Sequence, residues 1–498
     1  MIGFGSSDQG RFKPLPSRKS AIVTVLDIGS TKIACLIARL KPRDGSDVLA
    51  GRTHAIEALG YGYQRARGIK SGVVVDLDAA EQAIRLAVDS AERMAGVTVE
   101  SIIVNVTCGR LGSETFSAAI DVGGGEVGDL DIQRVLAAGG AHSVKDGRTV
   151  VHTLPIGYAL DGSRGIRDPR GMLGQRLGID LTVVTAETAP LRNLLLCVGR
   201  CHLEIEAVVA TPYASALSTL VEDEAELGVA CVDIGGGTTS ISVFSDRHLV
   251  HTDAIAVGGG HVTLDVANGL SIKVQDAERL KTLHGSALQG TSDERAILPV
   301  HPIGEDDAAA ATQVPRAMLN RIVRPRVDEI LELVRDRLVA SGFAGRIGRR
   351  IVLTGGGSQL TGLTEVARRV LGRATRIGRP LGRRRPRGRP SRRSSGCWFI
   401  RRWFSSSRLP SVPTGRASPE RMDTSPASGG GSRTASEAES GGRSLRREAG
   451  GDRKQGRNRE ARGQAIRTRG CHDDQSEDAR YHRAQAADHR LRHRRCRR

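Results

Sequence analysis

Two short stretches constrain the fold of this chain more than any others: DIGSTKI at Asp27–Ile33 and DIGGGTTSI at Asp233–Ile241. Each places an aspartate, glycine and hydroxyls directly after an apolar β-branched run, Ala21–Leu26 in the first case and Gly228–Val232 in the second. Such a segment reads as a strand ending in a tight turn, followed by a second strand rather than a helix. Glycine lets backbone approach phosphate oxygens that a side chain would keep away. That assigns Gly29, Gly235, Gly236 and Gly237 to a phosphate cradle. Ser30, Thr31, Thr238 and Thr239 add hydroxyl donors, and Lys32 adds a cation. Asp27 and Asp233 fall where strands end and suit a hydrated Mg²⁺, which keeps its waters and meets carboxylates through them. One such turn is a weak signal. Two matching turns about two hundred residues apart imply related half-domains closing on one nucleotide.

A third turn, LTGGGSQLTGL at Leu353–Leu363, has an apolar strand, Gly355, Gly356, Gly357 and Ser358, and then a helix. Backbone this bare can pack against an adenine and ribose. Between the second and third turns lies DAERLK at Asp276–Lys281, with Glu278 and Lys281 on one helical face. Alone this is an ordinary surface ion pair. Its place between two glycine turns is what raises a nucleoside role beside that reading. DVGGGEVGD at Asp121–Asp129 looks similar, but it lacks hydroxyls after its glycines and adds carboxylates that would repel phosphate. It reads as a loop.

The formal charge of +19 is unevenly placed: residues 381–498 carry 31 basic and 12 acidic residues, whereas residues 1–380 carry 43 of each. The charge therefore says nothing about partners of the folded part. The eight cysteines form no CxxC pair, and no histidine cluster has zinc spacing. There is no secretory signal pattern and no apolar run long enough for a spanning helix, so a reducing cytosol is expected.

Along the chain, residues 1–19 read as a flexible leader. Residues 20–100 read as strands with a helix over Asp78–Ala95 ending at Gly96. Residues 101–181 read as a compact insertion, with strands at Ser101–Val106, Phe116–Val122 and Val150–Tyr158. Strand and helix return from 182, with helices expected over Ala214–Leu227, Pro325–Ser341 and Leu363–Leu371. After Leu381 the periodicity stops, and Arg, Ser, Gly and Pro dominate, a composition that stays disordered.

The order DIGSTKI, PYASAL at Pro212–Leu217, DIGGGTTSI and TGGGSQL is similar to that of the actin/Hsp70/sugar-kinase ATPase superfamily. Within it the chain resembles the FtsA family of actin-like bacterial cell-division proteins, with GIKSGVVVDLDAA at Gly68–Ala80 and VGGGHVTLDVANGL at Val257–Leu270 in support. The resemblance covers roughly residues 20–381. It implies an α/β chain: a bilobed actin-like ATPase fold of two RNase H-like halves, with an inserted α+β subdomain and a basic tail. The first lobe would comprise residues 20–100 and 182–215, the insertion 101–181, the second lobe 216–381 and the tail 382–498. It implies ATP and Mg²⁺ as cofactors. It also implies self-assembly into filaments, binding to the ring GTPase FtsZ and to other divisome proteins, and a peripheral place at midcell on the cytoplasmic face of the inner membrane. A small-molecule kinase of the same superfold and a pilus-assembly relative are the alternatives. In Hsp70 relatives a carboxylate precedes the hinge proline. Here Thr211 stands in that position, so at most weak hydrolysis is expected and no catalytic residue is assigned.

The family's end-of-chain amphipathic membrane helix has no counterpart in the tail, so membrane attachment is not expected of this chain itself. Back-translation reads the tail as out of frame from about Gly382. Codons for Cys397–Phe404, shifted, can spell LVYPQVV, and those for His472–Arg498 can spell an FtsZ-like opening. Nucleic-acid binding by an Arg-rich arm is the lesser alternative.

Overall fold

In the computed structural model, which describes residues 19–42, 54–140, 144–291, 293–304 and 311–379, the first β-branched run forms β1 (Ala21–Ile28). The chain turns through Gly29–Thr31 into β2 (Lys32–Pro42), and β3 (His54–Arg65) pairs antiparallel beyond it. Two short strands follow, β4 (Ile69–Lys70) and β5 (Val73–Val74). Helix α1 (Leu77–Ala95) buries Ile84, Ala87, Val88 and Ala91 at the spacing read from the sequence. Asp76 caps its start, accepting from Ala79 N at 3.0 Å, and Gly96 at φ 67° ends it. The helix lies so close to β3 that a Cβ on Gly62 would overlap the Ala87 carbonyl oxygen.

Strand β6 (Ser101–Val106) corrects an expectation. It was assigned to the insertion, yet it pairs in parallel with β1, Asp27 opposite Asn105, and sits inside the first sheet. All its residues after Ser101 are buried, as a strand covered on both faces requires. The insertion begins after it, with β7 (Gly112–Asp121), α2 (Asp129–Gly140), β8 (Arg148–Leu160), β9 (Ser163–Ile166) and β10 (Arg176–Glu187). The glycine loop Val122–Gly128 connects β7 to α2, as expected. Asp121 Oδ1 accepts from Gly123 N at 2.7 Å there.

Helix α3 (Thr188–Arg200) and β11 (Glu204–Ala210) complete the first lobe. The single helix expected over Ala214–Leu227 is two, α4 (Thr211–Thr219) and α5 (Glu222–Leu227), broken at the extended residues Leu220 and Val221. The second lobe contains β12 (Val229–Ile234), β13 (Thr239–Ser245), β14 (His248–Ile255), α6 (Gly259–Leu270), α7 (Val274–His284), β15 (Ile297–Val300) and β16 (Thr312–Pro315). Then come α8 (Arg316–Ala340), β17 (Arg350–Thr354), α9 (Leu363–Leu371) and β18 (Ala374–Ile377). Helix α8 also departs from expectation, because it runs through Pro325 instead of starting there. Pro325 and Arg321 are both exposed, so the carbonyl released by the missing N–H can turn to water. Leu319 and Val323, upstream of the proline, are buried and hold the first turns.

The two lobes repeat one plan. The first sheet has the order β11-β6-β1-β2-β3, and the second begins β18-β17-β12-β13-β14 before continuing into the insertion as β7-β10-β8-β9. In each lobe the central strand is antiparallel to the next one and parallel to a later one. One apolar cluster runs from Leu26, Ile84 and Val104 through Tyr213 to Cys231 and Phe244, so the lobes share a core on one side. A second, around Val232, Ile241, Leu331 and Leu353, belongs to the second lobe. The leader up to residue 18 and the tail from 382 lie outside the described residues, as do the disorder and reading-frame expectations attached to that tail.

Candidate functional site: opposed glycine turns

Strand register makes the first two turns equivalent. Ile28 pairs with Ile33 and Ile234 with Thr239, so each hairpin closes over four residues. The same backbone bond shapes both turns, Gly29 N to Lys32 O at 2.9 Å and Gly235 N to Thr238 O at 2.8 Å. They face one another. A Cβ on Gly237 would lie 2.5 Å from Ser30 Oγ and 2.9 Å from Ser71 Cα, and one on Gly236 would overlap the Thr31 side chain. The side chains of the first turn therefore occupy the room that glycine leaves in the second.

Neighbouring segments fix both turns. Ser30 Oγ accepts from Gly72 N at 2.8 Å, which ties the first turn to the loop between β4 and β5. Gly259 N and Gly260 N donate to Gly235 O and Gly236 O at 2.9 and 2.6 Å, so the start of α6 is bonded to the second turn. Thr239 was expected to face phosphate. Its side chain is instead fully buried, and its hydroxyl donates to Val257 O at 2.8 Å. It occupies the position of Ile33 in the first lobe and supports the turn from beneath. Ser358 is likewise buried, and its hydroxyl donates to Gly355 O at 2.8 Å.

The third turn joins the same place. Gly355 has φ 86°, and a Cβ there would strike the Asp233 carboxylate, so only glycine fits. A Cβ on Gly259 would lie 3.5 Å from Gly235 O, 3.6 Å from Gly357 Cα and 3.9 Å from Lys281 Nζ. Lys281 is no ordinary surface lysine, since its side chain is only 15% exposed. Its ammonium donates to Glu278 Oε2 at 2.6 Å, Thr263 Oγ1 at 2.7 Å and Gly259 O at 3.0 Å. Glu278 is itself half exposed and also accepts from Thr263 Oγ1.

Asp27 and Asp233 are each the last residue but one of their strands, β1 and β12. Burial pushes the Asp27 carboxyl above the usual range, against the Asn105 hydrogen bond and the Lys32 charge. Burial also lifts Asp233, to about 6, with the Ser215 bond opposing and the Asp27 charge adding to the rise. Two carboxylates that disfavour each other's charge in a confined space suit a divalent cation. The sequence reading missed the two residues that orient them. Asn105 Nδ2 donates to Asp27 Oδ1 at 2.9 Å, and Ser215 Oγ donates to Asp233 Oδ2. The available signals were one amide in the apolar run SIIVNV and one serine in the PYASAL segment. Thr211, in place of the hinge carboxylate, donates to Val106 O at 2.9 Å.

A doubled sheet plan with interlocked glycine turns between its halves is that of the actin-like ATPase fold. The chain belongs to the FtsA family of bacterial cell-division proteins. The family profile described as "Cell division protein FtsA" matches residues 230–391, and that of the "SHS2 domain inserted in FTSA" matches residues 109–185. The latter begins beyond β6, in accord with the sheet pairing. Cell division protein FtsA of Rhizobium meliloti is 59% identical over 381 residues, 76% of this chain and 86% of the relative. That of Agrobacterium fabrum is 58% identical over 384 residues, 77% of this chain and 87% of the relative. That of Escherichia coli K12 is 31% identical over 367 residues, 72% and 84% of the two chains. A solved PilM–PilN type IV pilus biogenesis complex aligns with TM-score 0.48 and 13% identity over 77% of this chain and 96% of that one.

Proposed function

We propose that the chain binds ATP with hydrated Mg²⁺ between the opposed glycine turns, and that occupancy of this cleft governs its assembly into filaments that tie the FtsZ ring to the division site. The observation that carries the reading is the interlock: Gly236 and Gly237 face Thr31 and Ser30 across the gap between two lobes of one plan.

Gly29 and Gly235–Gly237 would present backbone to the phosphates, with Ser30, Thr31, Lys32 and Thr238 as side-chain donors. Asp27 and Asp233 would meet the cation through its waters, and the cation would offset phosphate charge. Glu278 would accept from ribose hydroxyls, while the Lys281 stem and Gly355–Gly357 would flank the base. Thr211 already donates to the backbone, and nothing in that position can take a proton from an attacking water. The nucleotide thus serves as a ligand that closes the lobes, with slow turnover at most. The inserted subdomain, continuous with the second sheet, would carry contacts to other copies and to divisome proteins.

The test is co-sedimentation of the full chain with preformed FtsZ polymers in Mg-ATP, Mg-ADP and EDTA, alongside pelleting of the chain alone. The reading expects nucleotide-dependent pelleting and capture by FtsZ. Equal behaviour in all three conditions would refute the gating. A phosphorylated small-molecule product would support the kinase alternative instead.

A further inference from the structure

We propose that Asn105 is a metal-positioning residue. Its amide fixes the Asp27 carboxylate, and its carbonyl oxygen accepts a hydrogen bond from a water carried by the bound divalent cation. The inference rests on the nucleotide reading above and names a residue of that site.

Asn105 is the one polar side chain in β6 after Ser101, and it is 1% exposed. Its Nδ2 donates to Asp27 Oδ1 at 2.9 Å, from the position directly opposite Asp27 in the parallel register. That uses one end of the amide. The other end, Oδ1, is buried and has no hydrogen-bond partner. A buried amide oxygen without a donor is costly and is retained where something else supplies the donor. The nearest chemistry that fits is a water polarised by a cation. A hydrated Mg²⁺ presents only donors to its surroundings, so both a carboxylate oxygen and an amide oxygen can receive from it.

The second lobe argues the same point by contrast. Thr354 stands opposite Asp233 where Asn105 stands opposite Asp27. The donor to Asp233 comes from elsewhere, the Ser215 hydroxyl on α4. Among the described residues, the first lobe alone combines a donor for its aspartate with a spare buried acceptor.

The experiment measures binding of a fluorescent ATP analogue to the full-length chain in Mg²⁺ and in EDTA, for wild type, Asn105→Leu and Asn105→Thr. The readout is the gain in affinity that Mg²⁺ confers. Asn105→Leu should reduce that gain about ten-fold while leaving metal-free binding within about two-fold. Asn105→Thr keeps a hydroxyl that can both donate to Asp27 and accept from a water, and should keep most of the gain. Equal gains in Asn105→Leu and wild type would overturn the proposal, and so would an equal loss with and without metal, which marks a merely structural residue. If Asn105→Leu does not fold, Asn105→Thr against its isostere Asn105→Val decides: a gain kept by threonine and lost by valine supports the role, and equal gains refute it. Wild type that binds no nucleotide under either condition removes the underlying reading and this inference with it.

Discussion

The two glycine hairpins share backbone and differ in side chains. Both close over four residues with the same bond, and both are flanked by a parallel strand from later in the chain. The first keeps Ser30, Thr31 and Lys32, whereas the second is reduced to Gly235, Gly236 and Gly237 before its threonine. The difference is steric. Two turns with side chains could not come this close, and two bare turns would leave no hydroxyl or ammonium for an anion. Duplication of a plan thus gives two surfaces that fit because they are unequal.

The strongest way to break this comparison is Gly237→Ala. The new Cβ meets Ser30 Oγ at 2.5 Å and, less escapably, the backbone of Ser71 at 2.9 Å. Overpacking of this kind costs about 3 kcal/mol, so nucleotide affinity should fall about a hundred-fold. Gly125→Ala, in the look-alike loop of the insertion, meets only Val122 O at 3.9 Å, an ordinary contact, and should leave binding unchanged. Isothermal titration with Mg-ATP compares the two.

Next comes the joint between the regions. Tyr213 on α4 lies between His152 of β8, with ring centres 5.4 Å apart, and Phe244 of β13, at 6.3 Å. His152 Nε2 accepts from Ala210 N at 3.0 Å. Burial lowers the His152 pKa to about 4, so the folded protein holds it neutral. A depressed pKa means that this stabilisation is full above the unfolded value near 6.5 and is lost as pH falls toward 4, by up to about 3 kcal/mol. His152→Gln keeps an acceptor and should flatten the acid limb of a melting-temperature profile between those values.

A smaller effect sharpens the interlock. Gly236→Ala meets only the Thr31 side chain. It should cost about ten-fold in affinity, close to 1.4 kcal/mol, and Thr31→Gly in the same chain should restore part of it. No rescue of the Gly237 variant is expected from Ser30→Gly, because the Ser71 backbone remains. Smallest is Ser215→Ala, which removes the hydroxyl donor of Asp233. It should lower stability by about 1 kcal/mol in urea unfolding at neutral pH.

The hairpins, α1 with its glycine stop, and the third turn were legible because each is written in consecutive residues: a β-branched run and then glycine, or apolar spacing over Asp78–Ala95 and then Gly96. Ser101–Val106 was legible as a strand but not as a member of the first sheet, since its partner β1 lies about eighty residues away. Pro325 misled because a proline reads as a helix boundary, whereas burial of Leu319 and Val323 carries α8 past it. At the site, the glycines were readable from type and spacing. Asn105 and Ser215 were not, because their meaning comes from carboxylates 78 and 18 positions away. Thr239 and Ser358 were read as ligands for the same reason in reverse: a hydroxyl in a motif does not say which way it points.

Hydrogen–deuterium exchange of the full chain, with and without Mg-ATP, examines the clamp directly. The account predicts that nucleotide slows exchange together at Gly29–Lys32, Gly235–Thr238 and Gly355–Ser358, and leaves the Gly123–Gly125 loop unchanged. Protection confined to one turn, or absent from all three, would contradict it.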